Sequence, residues 1–155
     1  MEDKYIGISE HRIQHMIGVA RKCYKLAKEK YNMSEEDSRK YFVMGILHDI
    51  GYEFTEKRSE HPFVGADILD SLTIQDITDI NDAIRHHGKC LQYEYTKADY
   101  ILNEADLTID SRGNVIDIEQ RCDDIKKRYG EDSRQYKNAI EMKRRLEGER
   151  KNELE

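Results

Sequence analysis

The sequence predicts an all-α protein, a bundle of about six to seven helices. Apolar residues recur at three- and four-residue steps in one segment after another, the spacing that gives a helix a single apolar stripe. The 155 residues include one Pro and nine Gly, too little punctuation for many short strands. Hydrophobic and charged residues each make up 37% of the chain, which suits a folded globule better than a disordered or membrane-embedded one. The length fits one domain over 1–155, with a patterned core at about 9–110 and charged helices over about 116–150.

The first helix is expected from Ser9 to about Lys30. Ser9 is a suitable N-cap, and Ile13, Met16, Ile17, Ala20, Cys23, Tyr24 and Ala27 form its stripe. Ser34 with Asp37 resembles a capping box and opens a second helix, whose segment YFVMGILHDI is apolar nearly all round and belongs at the bundle centre. GYEFTEKRSE reads as a polar loop. A short helix follows from His61-Pro62 to about Ser71, since Pro is tolerated in a first turn. Ile74, Ile77, Ile80, Ile84 and His87 mark the inner face of another helix, stopped by Gly88. Thr96 caps the next, with Ala98, Ile101, Leu102, Ala105 and Ile109 inward. SRGN is a turn. A small strand pair in one of the loops is the one β possibility. From Ile116 onward two charged helices break at Tyr129-Gly130. The last fifteen residues carry five acidic and five basic side chains, the pattern of a solvated helix.

Charge and cysteine content narrow the function classes. Twenty-six Lys and Arg against 32 Asp and Glu give a net charge of −6, the wrong sign for a duplex nucleic-acid binder. Cys23, Cys90 and Cys122 are odd in number and form no CxxC, so neither a disulfide framework nor a thiolate zinc site is indicated. No signal-peptide h-region or membrane span is visible, and the expected compartment is a reducing cytoplasm.

The pair His48-Asp49 closes the most apolar helix. A buried carboxylate costs several kcal/mol without a partner, and a divalent cation accepts both imidazole nitrogen and carboxylate oxygen. Gly45, one turn earlier, leaves room for a partner helix beneath the pair. His15 lies at the edge of the first stripe, His61 opens a helix, His86 and His87 end another, and Asp106 sits on a later, largely apolar helix. Neighbouring helix positions point about 100° apart. His87 follows Ile80 and Ile84 inward, so it is favoured over His86, which becomes a neighbouring or substrate-facing group.

In their order, RIQHMIGVA, GILHDIG, HPFVGADIL, AIRHHG and NEADLTID resemble the HD-domain superfamily of metal-dependent phosphohydrolases. The resemblance runs from residue 12 to 110. It implies His15, His48, Asp49 and Asp106 as the four-ligand set, with His11 a turn too far out. It further implies His61 and a His of the IRHH stretch as the extra ligands of two-metal members, with Asp49 shared. Tyr52 stands where many relatives carry a Lys, and Glu53 falls four residues after Asp49 where mononuclear nucleotidases place a Glu at three. The cyclic-dinucleotide signature is absent, and the motifs are most similar to the two-metal subgroup that hydrolyses dinucleoside polyphosphates.

The resemblance implies a metal-dependent phosphohydrolase. It would cleave a phosphoester or phosphoanhydride of a nucleotide-like small molecule by a metal-bound hydroxide, with Asp49 and His48 at the catalytic centre. The cofactor would be a divalent transition metal, two ions of Fe, Mn, Co, Ni or Zn. Arg85, His86, Arg12 and Lys57 are candidate substrate contacts, and Arg58 and Lys89 weaker ones. Two other classes compete: a non-catalytic nucleotide or metal sensor, and a di-iron oxygenase of the same superfamily.

Overall fold

A computed structural model of the chain describes residues 5–72, 77–89 and 94–154, with side chains to 148. Seven α-helices occur among the described residues: α1 Glu10–Lys25, α2 Glu35–Leu47, α3 His61–Asp70, α4 Thr78–His86, α5 Lys97–Leu107, α6 Ile118–Tyr129 and α7 Arg134–Leu154. A π-helical turn, Leu26–Lys30, prolongs α1, and a 3-10 turn, Ile50–Glu53, follows α2.

The helix starts follow the side chains available to satisfy free amides. Ser9 Oγ accepts from the Arg12 amide and Ser34 Oγ from the Asp37 amide. Thr96 and Asp99 form a complete reciprocal capping box at α5. Two ends differ from the sequence expectation. The α4 segment begins only at Thr78, and His87 lies beyond it with extended backbone (φ −63°, ψ 146°). The expectation for Ile74 falls outside the described residues. α5 stops at Leu107, where the Thr108 hydroxyl donates to the Glu104 carbonyl; Ile109 then pairs with Val115 in an isolated antiparallel bridge around the SRGN turn.

Two apolar cores share α5. The first joins α1 to α5 through Val19, Met44, Ile84, Ile101 and Leu102, all fully buried. The second joins α5, α6 and α7 through Leu107, Cys122, Ala139, Met142 and Leu146. The expectation of a solvated helix for the final fifteen residues is corrected here: Met142 and Leu146 are 4% and 2% exposed, because one stripe of the charged helix packs on α5 and α6.

Two glycines set the distances at the bundle centre. A Cβ on Gly45 would lie 2.5 Å from the Ala20 Cα, so α1 and α2 cross with backbones nearly touching. A Cβ on Gly51 would collide with the His61 carbonyl oxygen, so the 3-10 turn and the start of α3 are equally close. No helix among the described residues is long and apolar enough to cross a membrane.

Candidate metal centre and its cavity

Six side chains from five helices converge where these close approaches meet. His15 is mid-α1, His48 and Asp49 follow the end of α2, His61 opens α3, His87 follows α4, and Asp106 lies in the last turn of α5. Helix ends leave backbone carbonyls without intrahelical partners. His48 Nδ1 donates to the Gly45 carbonyl at 2.7 Å and His87 Nδ1 to Ile84 at 2.6 Å, both using such carbonyls. His61 Nδ1 donates to the Arg58 carbonyl at 2.6 Å, and His15 Nδ1 to the Asp110 carbonyl at 2.8 Å. The Asp110 carbonyl is held in place by the SRGN turn, whose Arg112 and Asn114 amides bind the Asp110 carboxylate.

A carbonyl only accepts, so all four Nδ1 atoms carry hydrogen and each Nε2 of a neutral ring is a bare lone pair. Those lone pairs face carboxylates and one another. His15 Nε2 lies 2.8 Å from Asp106 Oδ1, and His48 Nε2 lies 3.3 Å from both Asp106 Oδ1 and Asp49 Oδ2. His61 Nε2 and His87 Nε2 lie 3.1 and 3.3 Å from Asp49 Oδ1 and only 3.0 Å from each other. Asp49 thus presents one oxygen to His48 and, at 3.7 Å, to His15, and its other oxygen to His61 and His87.

Acceptors packed against acceptors need positive charge between them. His48 Nε2 is buried and has no hydrogen-bond partner among the described residues. The ligand-atom spacing suits a cation in three overlapping groups: His15, His48 and Asp49; His48, His87 and Asp106; Asp49, His61 and His87. A donor set of imidazole nitrogen and carboxylate oxygen without thiolate fits divalent transition metals. The residues therefore fit the cofactor that the sequence suggests, and number and identity of the ions are not fixed by the donors.

The electrostatics agree. Burial resists charge on His48, but the Asp49 and Asp106 carboxylates beside it outweigh burial and raise its pKa well above the ordinary value. Burial likewise opposes ionisation of Asp49 and Asp106, yet the surrounding imidazoles hold both well below the usual carboxylate range. His61 goes the other way: burial lowers its pKa, with the charge on His87 adding to that. Tyr52 stacks on His61 at a centroid distance of 4.0 Å, and the Arg12 guanidinium lies 3.5 Å over the other part of this stack, on the Tyr52 ring. Arg12 Nη1 is 3.7 Å from Asp49 Oδ2.

The cluster floors a cavity of about 720 Å³. Of the substrate contacts expected from sequence, Arg12 lines it and Arg85, His86 and Lys57 do not. Arg85 is instead bound to Asp67 and Asp70 at 2.9 and 2.6 Å, and Lys57 lies beside Glu60 on the surface. Arg58 and Lys89 do line the cavity. So do Arg121, Arg128 and Arg134 from α6 and α7, which sequence reasoning missed. Their signal was a cationic spacing along helices that otherwise read as solvated. Glu53 faces away and accepts from the Ile8 amide.

An all-helical bundle that gathers four imidazoles and two carboxylates under one cavity defines a candidate metal-binding protein of the His-Asp type. A comparison with protein families agrees: the HD domain model matches residues 12–147, well into α7, and the chain belongs to the HD domain family. No curated protein and no solved structure matches the chain.

Proposed function

We propose that the protein is a metal-dependent phosphohydrolase acting on a phosphoester or phosphoanhydride of a nucleotide-like small molecule. The observation that carries this reading is the divided Asp49 carboxylate, one oxygen facing His15 and His48 and the other facing His61 and His87, on the floor of a cationic cavity. His15, His48, Asp49 and Asp106 would hold one ion, and Asp49, His61 and His87 a second. Bound divalent cations supply Lewis acidity, easing deprotonation of water and offsetting charge on phosphoryl oxygens.

The chain's own groups do the rest. The backbone bonds to the four Nδ1 atoms fix every ring with its Nε2 inward. Asp49 lies between the two donor sets and would orient the attacking water, with the Arg12 guanidinium 3.7 Å from the oxygen that faces His48. Tyr52, wedged between Arg12 and His61, closes one side of the floor against bulk solvent. No protein nucleophile is required. The free thiols of Cys23 and Cys122 are buried and suit a reducing compartment, where we place the protein.

The test is a panel of phosphomonoesters, phosphodiesters and nucleotides given to the full chain loaded in turn with Mn, Zn, Fe, Co and Ni. Release of phosphate or nucleotide is expected, and Asp49→Ala should lower it by at least about a hundredfold. No turnover of any member with any metal contradicts the reading.

A further inference from the structure

We infer that the α6–α7 side of the cavity is a second anion subsite, in which Arg58, Arg121, Arg128 and Arg134 hold a phosphate group other than the one beside the His-Asp cluster. The inference rests on the phosphohydrolase reading and narrows its substrate class to molecules bearing at least two phosphate groups.

Six cationic side chains line the cavity: Arg12, Arg58, Lys89, Arg121, Arg128 and Arg134. Three have protein partners at hand, among them Arg58, which lies 4.8 Å over the Tyr129 ring. Arg12 lies near Asp49 and on Tyr52, and Lys89 sits 3.6 Å over the Phe63 ring. Arg58, Arg121, Arg128 and Arg134 pair with no carboxylate among the described residues. Among the described residues three carboxylates line the same space, Asp49, Asp106 and Glu56, and the first two face the imidazoles. Arg121 is half-buried, and Arg58, Arg128 and Arg134 are exposed toward the cavity opening. Guanidinium groups lining one concave space without counter-charge repel one another and make a local positive field that favours an anion.

One further observation points to a ligand. Arg121 Nε is shielded from solvent and has no hydrogen-bond partner among the described residues. Arg58 lies 4.8 Å over the ring of Tyr129, the last residue of α6, which puts it on the α6 side of the cavity. The guanidinium fork is the side chain best matched to phosphate oxygens. At about 720 Å³, the space is in the range of pockets that take drug-sized ligands, well beyond one phosphate. Beside the arginines, Leu107, Ile125, Ala139 and Met142 give an apolar wall for the part of the molecule that is not phosphate.

Three of these arginines lie outside the stretches that place the metal ligands; the fourth, Arg58, also holds His61 Nδ1 through its carbonyl. Arg58 precedes α3, while Arg121, Arg128 and Arg134 belong to the two charged C-terminal helices. The arrangement separates tasks: α1 to α5 position the reacting centre, and α6 and α7 select what reaches it.

Calorimetric titration of the metal-loaded full chain with pyrophosphate and with orthophosphate tests this, with metal content measured before and after. Pyrophosphate should bind at least about tenfold more tightly than orthophosphate, and Arg121→Gln and Arg134→Gln should each remove most of that advantage at unchanged metal content. The two variants lie on different helices, and Arg121→Lys should recover part of the binding. Equal affinity for the two anions, or variants that bind pyrophosphate as the parent does, would overturn the subsite. The titration needs no turnover, so a protein that hydrolyses phosphoesters yet shows no preference refutes the subsite alone. One that prefers pyrophosphate but hydrolyses nothing supports the subsite and refutes catalysis.

Discussion

At the scale of single residues, the strongest fact is the protonation pattern that the backbone imposes. Four carbonyls claim the four Nδ1 hydrogens and turn the Nε2 atoms toward each other and toward two carboxylates. In the metal-free chain, positive charge can be supplied by a proton on His48, whose pKa the Asp49 and Asp106 carboxylates raise against the opposing effect of burial. A metal ion must displace that proton. Loading is therefore expected to release protons near neutral pH, and affinity should fall as pH falls, because the protonated ring cannot ligate. Calorimetry of metal binding in two buffers of different ionisation enthalpy checks this; identical heats would contradict it. His11, exposed at the cavity rim, makes a useful comparison, since His11→Ala should leave metal content unchanged. The pair His48-Asp49 was legible in the sequence because burying a carboxylate demands a partner. Arg85 was misplaced because sequence order put it beside the paired histidines, whereas helix geometry turns it toward Asp67 and Asp70 on α3.

At the scale of elements, the site is built from helix ends and two backbone contacts. His87 illustrates both what periodicity reveals and where it stops. Its three-residue step from Ile84 predicts an inward ring, and the ring does enter the cluster, yet the residue has already left the helix. Gly88, at φ +76°, makes the turn, and its amide donates to Asn103 Oδ1 on α5, which anchors the end of α4 beside the site. A periodic pattern cannot report such a hydrogen bond between distant elements. Gly51 gives the clearest element-scale prediction. Its Cβ position is taken by the His61 carbonyl, so Gly51→Ala must push α3 outward. A stability loss of about 1–3 kcal/mol is expected, as for other overpacked contacts, together with weakened metal binding through His61. Denaturant unfolding and metal analysis of the same sample measure both. A variant that retains the parent stability and metal content would show that this approach does not position the ligand.

For the whole molecule, two apolar cores that share α5 put reacting groups and cations around one cavity. The all-α class was readable from the spacing of apolar residues and the scarcity of Gly and Pro. The second core was not, because α7 is so rich in charge that its narrow apolar stripe of Ala139, Met142 and Leu146 is hard to separate from a solvated helix. Met142→Ala should cost about 2–5 kcal/mol if α7 is a structural part of the domain, read by denaturant unfolding. A cost near zero would return α7 to the surface. The family match through residue 147 agrees with a role for these helices in the fold.

The central claim is that Asp49 divides six ligands into two cation sites. Elemental analysis per chain, for the metal-loaded parent and for His61→Ala, tests it most directly. The account predicts two equivalents in the parent and one in the variant, because removing His61 spares His15, His48, Asp49 and Asp106. A parent that holds no metal after loading, or a His61→Ala protein that still holds two equivalents, would contradict it.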